Sequence, residues 1–201
     1  MKDMIVRAYI TLLDADPAIW RRIELPAGFT LKHLHDVIQT VMGWYDGHLH
    51  HFQIGGMLYG EPSPEDDLHD RELLNERKFK LASLANDGER AFEYVYDYGD
   101  NWRCTVVLEA LTAADPGVTY PRLVSGARHG PPEDVGGPWG YIDFLDAIAD
   151  PKHERCAELT EWSGGDFDPD RFDIDEINRA LAQLSPRKST RRKSAKPAAT
   201  E

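Results

Sequence analysis

The stretch AFEYVYDYGDNWRCTVVLEA, residues 91–110, decides the fold. Phe92, Tyr94, Tyr96 and Tyr98 share one face of a strand, and Trp102, Cys104, Val106 and Leu108 share one face of the next, the period-2 signature of half-buried strands. With both rows on one side of a hairpin, Tyr98 pairs with Trp102 across a three-residue loop, Gly99-Asp100-Asn101. A two-residue loop would slip the register by one and turn one aromatic row to water. Asn101 supplies the left-handed residue that three-residue loops use.

Upstream, Val6, Ala8, Ile10 and Leu12 alternate with Ile5, Arg7, Tyr9 and Thr11. Asp14-Ala15-Asp16-Pro17 is turn chemistry, and a short strand from Ile19 to Leu25 stops at Pro26. Thr30 offers an N-cap to a helix whose stripe is Leu31, Leu34, Ile38 and Val41, closed by Gly43. His50 to Ile54 and Met57 to Gly60 read as strands around Gly55-Gly56, and Leu73 to Asp87 as a short helix ending near Gly88. Beyond Asp115-Pro116-Gly117 a long Gly/Pro-rich segment is expected to be irregular. Helices return around Tyr141 to Ile148 and His153 to Trp162. A last one follows the Asp173/Glu176 capping-box pattern through Ile177, Leu181 and Leu184. The order predicts an α+β domain with a mainly antiparallel sheet and a helical C-terminal part.

The chain has 201 residues, 41% of them hydrophobic, and a net charge of −12, which suits one soluble domain. The charge is uneven. Residues 185–201 hold six bases and one acid, a net +5, leaving −17 for residues 1–184. We therefore expect a domain over 1–184 and a basic, disordered tail over 185–201. The acidic body argues against nucleic-acid binding outside that tail, because phosphate neutralisation needs clustered cations. The start MKDMIVRAYI is unlike a signal peptide, and no apolar run is long enough to span a membrane, so a cytoplasmic protein is expected. Cys104 and Cys156 lack metal or redox spacing. Cys104, mid-strand on the apolar row, reads as a packed neutral thiol rather than a nucleophile.

Nucleotide-loop, nucleophile-elbow and zinc-protease motifs are absent. Asp166-Phe167-Asp168-Pro169-Asp170 opens like a calcium loop, but Arg171 and Ile177 occupy the positions that need Gly and Glu. His33 and His35 sit two apart on a helix and cannot chelate one ion together. His35 reads as a hydrogen-bonded core residue. His48 and His50 would share a face of a strand beginning at Gly47, the H-x-H arrangement that binds zinc or iron. Asp97, Asp100, Glu133 and Asp134 could complete such a site, whereas His51 points the other way. A second group combines aromatic rings with charge: Trp20-Arg21-Arg22, Trp44, Tyr96, Tyr98, Trp102 and Trp139. These residues stand beside turns, where they can either wall a ligand site or close the ends of the sheet.

Several ordered motifs resemble the plasmid pRiA4b ORF-3-like family. They are Pro17-x-Ile19-Trp20-Arg21-Arg22-Ile23-x-Leu25-Pro26, Leu34-His35 through Gly43-Trp44, and His48-Leu49-His50-x-Phe52. They continue as Tyr94-x-Tyr96-Asp97-Tyr98-Gly99-Asp100-x-Trp102 and Pro131-Pro132-Glu133-Asp134-x-Gly136-Gly137, followed by Gly140-Tyr141. The resemblance runs from about Val6 to Leu184. It implies a small bacterial or archaeal α+β protein, in some members carried on plasmids or as an insertion-element passenger labelled TnpR-like, without an attached activity. The chain lacks the Ser segment, Arg cluster and helix-turn-helix of a serine recombinase.

The leading expectation is a non-enzymatic binding or accessory protein, needing no cofactor, that takes a small ligand or a protein partner. Its site would use Trp20, Arg21, Trp44, His48, His50, Tyr98, Asp100, Trp102, Asp134 and Trp139, with an Arg21–Asp134 ion pair pinning the loop. One alternative is a metal-dependent hydrolase with His48, His50 and Asp97 or Asp100 as ligands and Glu133 or Asp134 as general base. Another is nucleic-acid accessory binding through the tail.

Overall fold

The computed structural model describes residues 4–62, 72–165 and 167–185; the basic tail beyond 185 and Asp166 of the acidic loop lie outside them. An eight-stranded sheet runs in the order β5-β4-β3-β6-β7-β1-β2-β8. Its strands are β1 (Met4–Leu12), β2 (Trp20–Pro26), β3 (His50–Ile54), β4 (Met57–Gly60), β5 (Leu73–Asn75), β6 (Ala91–Tyr96), β7 (Trp102–Ala113) and β8 (Arg122–Ala127). Every pairing is antiparallel except β4 with β5. The helices are α1 (Leu31–Met42), α2 (Leu81–Asp87), α3 (Gly137–Ala149), α4 (Cys156–Trp162) and α5 (Ile174–Leu181). The α+β, mainly antiparallel reading therefore holds.

Val6, Ala8, Ile10 and Leu12 are all buried, as are Phe52, Phe92, Tyr94, Tyr96, Trp102, Cys104 and Val106 along the neighbouring strands. Against them α1 lays Leu31, Leu34, Ile38 and Val41, so the best amphipathic stripe in the chain meets the two rows that define the sheet. Gly43 ends α1 at φ 80°, the left-handed conformation that glycine adopts freely, and donates its N–H to Gln39 O. That reversal throws residues 44–49 over the end of β6.

The β6–β7 hairpin keeps the expected faces but not the expected register. Tyr96 pairs with Trp102, Tyr94 with Cys104 and Phe92 with Val106, two residues away from the pairing Tyr98 would make. The loop is five residues, 97–101. Asp97 leaves the strand at φ 56° because its carboxylate Oδ1 accepts from Gly99 N at 2.9 Å and Asp100 N at 3.3 Å, a local turn that competes with strand continuation. Asn101 is left-handed as expected.

Two further expectations are corrected. Arg122–Ala127, read as irregular, is edge strand β8 against β2, with a register shift between Arg22 and Ile23 that breaks any clean alternation. Residues 73–75 form a strand and 76–78 a 3-10 turn before α2, where one short helix was expected.

Candidate functional site

Three loops meet at one end of the sheet: 43–49 after α1, 97–101 between β6 and β7, and 131–140 before and into α3. Their floor is aromatic. Trp44 stacks on Tyr96 at 4.9 Å and lies 6.2 Å from Trp102, which meets Tyr141 edge-on at 6.3 Å. Polar ties hold the loops on that floor. Trp44 Nε1 donates to Pro131 O at 3.1 Å, Tyr45 N to Glu133 Oε1 at 2.7 Å, and Gly136 N to Asp100 Oδ2 at 3.1 Å. Tyr96 OH accepts from Gly47 N at 3.0 Å and donates to Glu133 Oε1 at 2.6 Å. Burial and the Glu133 carboxylate push the Tyr96 phenol above its usual range.

At the centre, His48 Nε2 lies 3.1 Å from Asp134 Oδ1 and 3.6 Å from Asp97 Oδ2. Asp97 and Glu133 are buried while Asp134 is exposed. A cleft of about 260 Å³ opens beside Asp134, walled by Asp143 and Phe144 of α3, by Arg155 ahead of α4, and by Glu158, Leu159 and Trp162 of α4, with Arg155 paired to Glu158 at 3.2 Å. Tyr45 and Trp139 on the surrounding loops are 77% and 81% exposed.

Beneath the loops lies a second polar group, closed on itself. Asp46 N donates to Gln39 Oε1 at 2.8 Å, and Gln39 Nε2 donates to Tyr94 OH at 3.0 Å. Tyr94 OH and His35 Nδ1 are 2.8 Å apart, and His35 Nε2 and Asp46 Oδ1 are 2.7 Å apart. With His35 neutral and protonated at Nε2, each member gives one hydrogen and takes one. Burial, reinforced by charge on His50, lowers the His35 pKa to about 3, consistent with that neutral form. His50 stacks on His35 and pairs through Nε2 with Glu76 Oε2 at 2.9 Å. Glu76 is fully buried and its Oε1 has no partner among the described residues.

The structure thus brings together Trp44, His48, Asp97, Asp100, Trp102, Glu133 and Asp134. It separates His48 from His50. The strand begins at His50 rather than Gly47, so His48 stands in the preceding loop, and the two imidazoles serve different groups. Tyr98 has left the aromatic row and sits 3.1 Å from His51 Nδ1. Trp20 packs against Tyr9, with Arg22 over both rings, away from the loops. The expected Arg21–Asp134 pair does not form. Arg21 is buried and gives its hydrogens to four carbonyls, those of Val41, Trp20, Ala127 and Arg128, at 2.7–2.8 Å, beside a separate cleft of about 230 Å³ that Phe172 also lines. Desolvation lowers its pKa to about 10.

The polar residues that sequence reading passed over are Gln39, Asp46 and Glu76. Asp46 carried a signal, since Tyr45-Asp46-Gly47 follows the helix stop; Glu76 carried none.

A family model described as plasmid pRiA4b ORF-3-like protein matches residues 4–176, from β1 into the first turn of α5. The chain belongs to the plasmid pRiA4b ORF-3-like family. Within it, the chain is 37% identical over 182 residues to the uncharacterized protein y4hQ of Sinorhizobium fredii, covering 90% of this chain and 92% of that one. It is also similar to the crystal structure of MM3350, a protein of unknown function from Methanosarcina mazei Go1. That similarity has a TM-score of 0.79 at 36% identity and covers 88% of this chain and 98% of the other. The family match takes in all three loops of the platform. Among the described residues, no helix is long and apolar enough to cross a membrane.

Proposed function

We propose that this member of the plasmid pRiA4b ORF-3-like family is a non-enzymatic binding protein whose ligand sits on the three-loop platform, and that the ligand is cationic. The observation that carries the reading is the approach of Asp97 and Asp134 to the single imidazole of His48, with the buried Glu133 next to Asp134 in the chain, beside a cleft whose walls add Asp143 and the Glu158–Arg155 pair. Exposed Tyr45 and Trp139 add ring faces of the kind that attract cations. The floor is rigid and hydrogen-bonded, which favours a site formed before its ligand arrives. The family's description after a plasmid open reading frame is what supports an accessory role on mobile elements. A hydrolase reading would have to rely on His48 without His50, because the two rings serve different groups.

The test is an amide NMR titration of the ¹⁵N-labelled full chain with spermidine, choline and arginine, each set against acetate and phosphate. Cations should move the amides of 45–48, 97–101 and 133–137, and Trp139→Ala should weaken the response. Shifts confined to the Arg21 cleft, or larger with anions, would reject the reading.

A further inference from the structure

Two His/Asp groups among the described residues bring ligand atoms within 4.8 Å of one another: His35, Asp46 and His50, and His48, Asp97 and Asp134. Their geometry separates them. An imidazole binds a metal along the nitrogen lone pair, which lies in the ring plane. His35 and His50 are stacked, 3.5 Å between centroids and 15° between planes, so their lone pairs run side by side and cannot converge on one ion. Both His35 nitrogens are also occupied within the closed ring of hydrogen bonds.

The second group has one imidazole and no such conflict. Two donors each about 2.1 Å from a metal, at angles of 90–109°, stand roughly 3.0–3.4 Å apart. His48 Nε2 is 3.1 Å from Asp134 Oδ1, inside that range, and 3.6 Å from Asp97 Oδ2, a little beyond it. Among the described residues, both are ion-pair contacts rather than hydrogen bonds. Asp97 is only 8% exposed, and its Oδ1 is held by Gly99 N and Asp100 N, which aims Oδ2 at His48. The charge is the second, independent observation. Asp97, Asp134 and the buried Glu133 gather without a Lys or Arg partner among the described residues, whereas buried Glu24 on β2 has two arginines and buried Glu76 faces the imidazole of His50. Buried carboxylates need compensating charge.

We propose that His48, Asp97 and Asp134 hold one divalent transition-metal ion of the zinc and manganese class, with its remaining positions open toward the cleft beside Asp134. This rests on the cationic-ligand reading of the platform and specifies the ligand. One imidazole with two carboxylates is too nitrogen-rich for a dedicated magnesium or calcium site and lacks the thiolates of a structural zinc site. The Asp97 turn fixes the ligand oxygen in the way outer-shell partners fix metal ligands.

The test is calorimetric titration of the chelator-treated full chain with Zn²⁺ and, separately, Mn²⁺. One ion per chain is expected, zinc tighter than manganese. Asp97→Asn and Asp134→Asn should each weaken binding at least about tenfold, while Asp46→Asn, which keeps both the backbone N–H for Gln39 and an Oδ1 acceptor for His35, leaves it unchanged. Mn²⁺ should broaden the amides of residues 47–49, 97–99 and 134–135 in the unmutated protein, a readout independent of any variant's folding. Absence of binding by both ions, binding indifferent to both asparagine variants, or binding lost with Asp46→Asn would overturn the proposal. If neither ion binds yet spermidine still moves the platform amides, the metal alone fails; if nothing cationic moves them, the platform reading fails too.

Discussion

The imidazoles of His35 and His50 lie face to face, 3.5 Å apart, one closed into a ring of hydrogen bonds and the other turned to the buried carboxylate of Glu76. Two rings so close cannot both carry a proton cheaply, and burial falls hardest on His35, whose pKa is held at about 3 against an ordinary 6.5. The folded chain keeps His35 neutral while the unfolded chain protonates it near 6.5. Stability from this residue is therefore complete above pH 6.5 and is lost as pH falls toward 3, by up to about 1.4 kcal/mol per pH unit. Urea midpoints measured from pH 7.5 to 5 should show that decline, and His35→Gln should flatten it. An unchanged slope in the variant would assign the decline to another group.

Arg21 is the clamp between β2, the last turn of α1 and β8. Arg21→Met strands four carbonyl oxygens and should cost on the order of 3–5 kcal/mol in chemical denaturation. Arg21→Lys should recover only part of that, because a single ammonium cannot span the planar spread of the guanidinium. A loss below about 1 kcal/mol in the Met variant would mean that water replaces the clamp.

Gly137 joins the platform at its tightest point. It sits at φ 69°, and a Cβ there would collide with the carbonyl oxygen of Asp100. Gly137→Ala should cost about 1–3 kcal/mol and release the Gly136 to Asp100 hydrogen bond. Hydrogen exchange should accelerate in 97–101 and 133–137 while β1 and β7 stay protected.

The two thiols should differ. Burial pushes Cys104 up to about 12, whereas Cys156 is partly exposed at the start of α4. A disulfide reagent should modify one thiol per native chain, at Cys156, and the second only on unfolding. Rapid modification of both in the native protein would contradict the buried position of Cys104.

The elements legible in the sequence were those whose burial follows one period. Val6, Ala8, Ile10 and Leu12 show strand parity, and Leu31, Leu34, Ile38 and Val41 show helical spacing, because each packs against a single uniform layer. β8 was hidden because it is an edge strand bulged at Val124, with too few buried side chains to imprint alternation. The hairpin parity was readable from its aromatic rows, but parity is indifferent to a slip of two residues. What set the loop length was the Asp97 carboxylate capping its own turn, a local bond that hydrophobic patterning does not register.

At the site, residue types were readable and partnerships were not. His48 and the carboxylates of 97, 133 and 134 stood out as candidates. Pairing His48 with His50 assumed that the pleat starts at Gly47, whereas the strand starts at His50. Arg21 looked like a partner for Asp134 because both are charged and near turns. Its four carbonyl acceptors come from α1, β2, the end of β8 and the residue just after it, which only the assembled fold brings together.

The closed circuit of Asp46, Gln39, Tyr94 and His35 bears on alignment between layers. Apolar side chains of α1 could slide along the sheet by a turn and find nearly equivalent contacts. The circuit admits no such displacement: the Asp46 N–H can only give, which fixes the Gln39 amide, then the Tyr94 hydroxyl, then the His35 tautomer, all in one sense of circulation. It works as a key that indexes the helix against the sheet. Because residues 43–49 hang from the end of that helix and 97–101 from the strand carrying Tyr94, the same key sets the gap across which His48 faces Asp97.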